Sequence, residues 1–119
     1  MILVKSLKES SQHMLSHENF LGLLNSIFTV PGPEGTTVEL KLEEVSELKS
    51  FPRQETFSVV FRGPREVFLM QATHKFHHDS IGDFEIFIVP IGPDANGFRY
   101  ESVFNRLVNT EEAVPAATN

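Results

Sequence analysis

The sequence predicts a mainly β domain, a small antiparallel β-barrel or sandwich of about six strands with a short N-terminal helix. Three observations carry that class. Apolar and polar residues alternate with period two, as in Val38-Glu39-Leu40-Lys41-Leu42 and again over residues 57–62. Pro and Gly cluster between those runs, at Pro31-Gly32-Pro33, at Gly63-Pro64 and at Pro90-Ile91-Gly92-Pro93, and mark short connections. The chain has 119 residues, enough for one domain with little to spare.

The elements follow in order. Residues 1–15 have a weak helical pattern, with Leu3 and Leu7 four apart, that drifts into a polar run. They are expected to be an extension outside the domain. Ser16 suits an N-cap, Glu18 suits the positive end of a helix, and Phe20, Leu23 and Leu24 form one stripe. A helix over residues 16–24 is the expectation. From Ile27 the period becomes two, giving a short strand with Phe28 and Val30. Residues 38–49 read as a strand entered through Thr36-Thr37, with a bulge where the alternation breaks at Glu43-Glu44. A helix with Leu42, Val45 and Leu48 at i, i+3 spacing is the competing reading.

Phe57, Val59 and Phe61 define the next strand. Residues 67–78 are expected to form another, closed by a turn at residues 79–83. Residues 84–89 are apolar on both faces, the pattern of a strand covered on both sides. Asp94-Ala95-Asn96-Gly97 is a hairpin turn leading into a last strand with Phe98, Tyr100 and Phe104. One domain over residues 16–106 and a frayed tail over 107–119 complete the expected organisation.

Composition bounds the function. Sixteen acids against ten bases give a net charge of −6, which argues against nucleic acid as a partner, because binding it needs a clustered basic face. There is no Cys, so thiolate zinc sites, disulfides and cysteine nucleophiles are excluded. The apolar run Ile2-Leu3-Val4 is too short for a signal peptide and no segment is long enough for a spanning helix. A cytoplasmic protein without membrane contact is therefore expected.

Four stretches carry a family resemblance: residues 57–64 (FSVVFRGP), 69–78 (LMQATHKFHH), 84–93 (FEIFIVPIGP) and 99–105 (RYESVFN). Together they resemble an uncharacterised family of bacterial proteins of roughly 100 residues, a domain of unknown function. The helix with Phe20, Leu23 and Leu24 fits its start, and the resemblance covers about residues 14–105. Gln71, Thr73 and His78 fit the family's pattern, whereas Met70, Ala72 and His74 stand where Pro, Gly and Tyr are usual. The resemblance implies the β fold and a neighbourhood of phage-tail-collar-like proteins. It implies no activity.

Candidate chemistry is sparse. His74 and His78 lie four residues apart on an expected strand, roughly 13 Å, too far to share one ion, so no metal site and no cofactor is expected. His78 with Tyr100, Glu101 and Arg62 is the one constellation suited to acid–base work, provided their strands are neighbours. A ligand carrier would need a cavity lined by Phe57, Phe61, Ile86 and Phe104. Charge is uneven: residues 34–49 carry five acids against two bases, a balance of −3, and residues 53–78 carry four bases against two acids, a balance of +2.

Eleven Phe, one Tyr and no Trp are more than a domain of this size hides easily. Phe51, Phe68, Phe87 and Phe98 are the candidates for the surface. Phe87, Val89 and Ile91 share one strand face, and with Phe98 nearby they form the expected interface. The expected function is a non-catalytic protein-binding or assembly module whose partner is another protein or a second copy. The alternative is a small enzyme or ligand-binding barrel built on His78.

Overall fold

The computed structural model describes residues 15–107. Helix α1 (His17–Gly22) is capped by Ser16, whose side chain accepts the Asn19 N–H. Seven strands follow: β1 (Ile27–Pro31), β2 (Thr37–Val45), β3 (Lys49–Phe51), β4 (Gln54–Gly63), β5 (Ala72–His78), β6 (Gly82–Asp94) and β7 (Gly97–Leu107). They run β2-β1-β5-β6-β7-β4-β3, all antiparallel, and β2 also pairs with β4. That last pairing closes six strands into a barrel and leaves β3 as a short flap on the edge of β4. The mainly β class, the six-strand barrel and the short leading helix are as the periodicity indicates.

In the ring β1-β5-β6-β7-β4-β2, strands β4 and β5 stand opposite one another. The connection over residues 64–71 must therefore cross the barrel mouth. It buries Leu69, and the Leu69 N–H donates to the Tyr100 hydroxyl at 2.9 Å. The expected strand over residues 67–78 is corrected here, because only its second half, β5, is strand. Val67, Phe68, Leu69 and Met70 serve the crossing instead, and Leu69 fills the opening.

At the other end, Phe20 of α1 closes the barrel. Its ring lies 6.4 Å from Phe28, 6.1 Å from Phe57 and 5.3 Å from Phe104. Between the two plugs the interior is filled by Phe28, Phe61, Phe76, Tyr100, Leu40, Leu42, Ile88, Val30 and Val59, all fully buried. Leu15, at the edge of the described residues, belongs to this core. Leu107, counted in the expected tail, ends β7 opposite Gln54, and the rest of the expected extension (1–14) and tail (108–119) lies outside the described residues.

Residues 37–45 are strand, and the alternation break at Glu43-Glu44 is a register shift between Leu42 and Glu44 against β4. The shift turns both Glu43 and Glu44 outward, where they meet Arg62 and Arg99. A second bulge, between Pro90 and Gly92, was not expected from the sequence; Gly92 takes φ 122°, which a side chain would resist. It re-aims Asp94 outward toward Arg62.

Strand β6 departs from expectation in a second respect. Phe84, Ile86 and Ile88 face the interior, but the opposite face has no cover: Phe87 is 49% exposed. The reason is α1, which closes the barrel end and does not lie on the wall. Of the other surface candidates, Phe51 and Phe68 are exposed, and Phe98 is half-buried against Phe68, ring centroids 5.2 Å apart.

Candidate functional site

Strand β6 lies between β5 and β7, so His78 does not meet Tyr100 or Glu101 across a shared edge. His78 is buried at the α1 end of the barrel, 4.5 Å from the Phe28 ring centroid. The Ser80 N–H donates to its Nδ1 at 3.0 Å. Nδ1 therefore carries the lone pair, and Nε2 carries the hydrogen, which it donates to Ser26 Oγ at 2.9 Å. Ser26 in turn donates its hydroxyl hydrogen to the Leu23 carbonyl at 2.6 Å.

Every hydrogen in this chain runs one way, from β5 to the end of α1. So bonded, His78 has no free lone pair with which to take a proton from a substrate, and Ser26 is not activated as a nucleophile. The chain's effect is to tie the plug helix to the wall. Ser26 was missed in reading the sequence because it lies 52 positions from His78. Only Ser26's place just before a strand distinguished it.

Tyr100 is fully buried with its hydroxyl in the mouth crossing, and burial pushes its phenol above the ordinary value. Glu101 faces outward opposite Val60 and Val89. Arg62, also outward, donates to Glu43 at 3.1 Å through Nε and Nη2 and to Asp94 at 2.6 and 3.0 Å through Nη1 and Nη2. Arg99 extends the cluster, with Nη2 2.9 Å from Glu44. The four sequence candidates thus fall in three places, and Arg62 is occupied by carboxylates on both sides.

Arg62 holds the Asp94 carboxyl at about 2, against an ordinary 3.8, and the Asn96 N–H adds to the effect. A carboxyl whose pKa is depressed in the fold stabilises above its unfolded value and loses that contribution as pH falls. The stability difference between the wild type and Asp94→Asn should therefore shrink as pH drops from about 4 to about 2. Urea midpoints across that range check it, and a constant difference would dissociate Asp94 from the acid response. His77 shifts the other way. Its hydrogen bond to Asp83 (2.6 Å) and a weaker one to Asp79 (3.3 Å) raise it above 6.5. That stabilisation is complete below 6.5 and fades as pH rises through the raised value.

Among the described residues no group of three or more His, Asp or Glu side chains is placed to hold a metal ion. No helix among them is long and apolar enough to cross a membrane. Phe57, Phe61, Ile86 and Phe104, the lining considered for a carrier, pack among other side chains; Phe57 and Phe104 stack at 4.9 Å.

The outer wall holds the apolar surface. Ladder pairing between β6 and β7 ends at Val89 and Glu101, and the strands separate beyond it. Ser102 satisfies the freed Phe87 carbonyl, donating its hydroxyl at 2.7 Å. Phe87 and Val103, 58% exposed, stand on the two lips of the opening, with Ile91 exposed further along β6. Val89 is half-buried between them. Phe98 is not on this wall: it opposes Pro93 and packs toward Phe68 and Tyr100 at the mouth.

Over residues 15–104 the chain matches the family described as a domain of unknown function, DUF6916. It belongs to that family. No curated protein matches it, and no solved structure does. The DUF6916 match begins at Leu15, the first core residue, and ends at Phe104, the last aromatic stacked at the α1 end of the barrel. The matched span is therefore the barrel together with its helical plug.

Proposed function

We propose that this DUF6916 domain is a non-catalytic protein-binding module that docks through the outer wall of its barrel. The observation carrying the reading is the pair Phe87 and Val103, large apolar side chains exposed on either lip of the β6–β7 opening. Ile91 and half-buried Val89 extend the patch along β6. A filled interior and a His78 committed to structural bonds support the same reading. The setting that the family resemblance implies is an assembly of the phage-tail-like kind.

Phe87→Ser removes an apolar contact from a side chain already half in water, so the domain should keep its fold and melt within a few degrees of wild type. Association, with a second copy by sedimentation equilibrium or with a partner recovered from the native host, should weaken at least tenfold. Val103→Ser should act alike. A wild type that is monomeric at every concentration and recovers no partner, together with unfolding of Phe87→Ser, would make Phe87 plain core and end the proposal.

A further inference from the structure

We propose that β3 is a self-pairing edge, through which two copies of this chain join as antiparallel strands about a two-fold axis at Ser50. β3 ends the strand order and pairs with β4 alone. The neighbouring β2 is covered by the chain leading into β1 as far as Leu42, which bonds Asn25 and Ser26. His17 then donates to the Ser46 carbonyl at 2.8 Å. Beyond Ser46 no strand lies on that side among the described residues, and Lys49, Ser50 and Phe51 are all exposed.

The turn from β3 to β4 is Pro52-Arg53, so Phe51 and Gln54 form the hydrogen-bonded pair that closes the hairpin. Alternation along the ladder then turns the N–H and C=O of Ser50 away from β4. An antiparallel Ser50 from a second copy satisfies both groups, each N–H donating to the other copy's carbonyl. Pro52 has no N–H to continue the ladder, which keeps the contact short.

The side chains select a second copy as the occupant. Lys and Pro on an edge discourage an arbitrary strand. Pairing about Ser50 instead sets each Lys49 against the Phe51 ring of the other copy, where the cation meets an aromatic face. Phe51, 53% exposed in one chain, gains cover there. The same axis brings Glu47 level with Arg53 of the second copy, once at each end. Both residues are exposed, and neither enters an ion pair among the described residues. Each copy spends its β3 edge on the other, so the assembly closes at two. The contact is small, hence weak, and it leaves the Phe87–Val103 wall to a different protein.

Sedimentation equilibrium of the full chain tests the pairing, and the wild type should show a monomer–dimer equilibrium below about 1 mM. Glu47→Arg alone, or Arg53→Glu alone, sets like charges opposite at both ends and should weaken the dimer about fivefold. An equimolar mixture of those two variants restores opposite charges and should associate as the wild type does. Ser50→Pro removes the outward N–H and should weaken the dimer about tenfold, whereas Phe87→Ser should leave it unchanged. A wild type that stays monomeric, or a mixture no stronger than either variant alone, would overturn the proposal. So would a dimer lost in Phe87→Ser and kept in the β3 variants, which would assign self-association to the wall.

Discussion

Phe28→Ala is expected to cost about 3–5 kcal/mol, a large part of the stability of a domain this small. Phe28 lies on β1 with no exposed surface, and its ring meets those of Phe20, Phe61, Phe76, His78 and Phe84. Those neighbours come from α1, β4, β5 and β6, so the void would lie where the plug meets the wall. Backbone ladders surround the site and limit collapse, which places the cost toward the upper end of the range. Phe28→Leu keeps most of the volume and should cost roughly half as much or less. Urea unfolding followed by circular dichroism measures both. A loss below about 1 kcal/mol for the alanine variant would mean that the helix repacks freely over the opening, contrary to a filled barrel.

His78→Ala is expected to cost about 2–4 kcal/mol, because it strands hydrogen-bonding groups and opens a gap beside Phe28. The Ser80 N–H loses its acceptor and the Ser26 hydroxyl loses its donor, although Ser26 keeps the Leu23 carbonyl. Ser26→Ala leaves the buried Nε2–H without a partner and should cost about 1–3 kcal/mol. Together the two changes should cost less than their sum, since both break one bond. Nitrogen NMR of the imidazole tests the direction of the chain: the hydrogen should reside on Nε2 and exchange slowly. Hydrogen on Nδ1 would reverse the direction, free a lone pair beside Ser26, and reopen the acid–base reading of His78.

The strands were legible because each turns one face to the core, and one buried face forces period two on its sequence. Val38, Leu40 and Leu42 of β2, and Phe57, Val59 and Phe61 of β4, show it directly. The α1 cap was legible for a related reason, since Ser16 meets a backbone need that arises within three residues of it. The bulge in β2 was visible as a break in alternation. The bulge in β6 was not, because Pro90, Gly92 and Pro93 obscure the period there.

Residues 64–71 misled for a physical reason. Val67, Phe68, Leu69 and Met70 carry the composition of a strand, yet the ring places β4 opposite β5 and that stretch has to span the mouth. The candidate site was legible only in part. An excess of Phe implied that some would stay exposed, and Phe87 does. Val103 beside it depends on where β6 and β7 separate, which is a property of the closed barrel. The joining of His78 to Ser26 and the capture of Arg62 between Glu43 and Asp94 are long-range contacts that no spacing encodes.

By itself, then, the sequence determined the β class, the positions of most strands, the single leading helix and the interior-facing alternation, because backbone hydrogen bonding and one-sided burial act over a few residues at a time. Closure of the ring by β2 and β4, the plugs supplied by Phe20 and Leu69, and the fate of each polar candidate were decided only by the tertiary structure. Those outcomes depend on which strands become neighbours, and neighbours in a barrel are chosen by the packing of the whole chain.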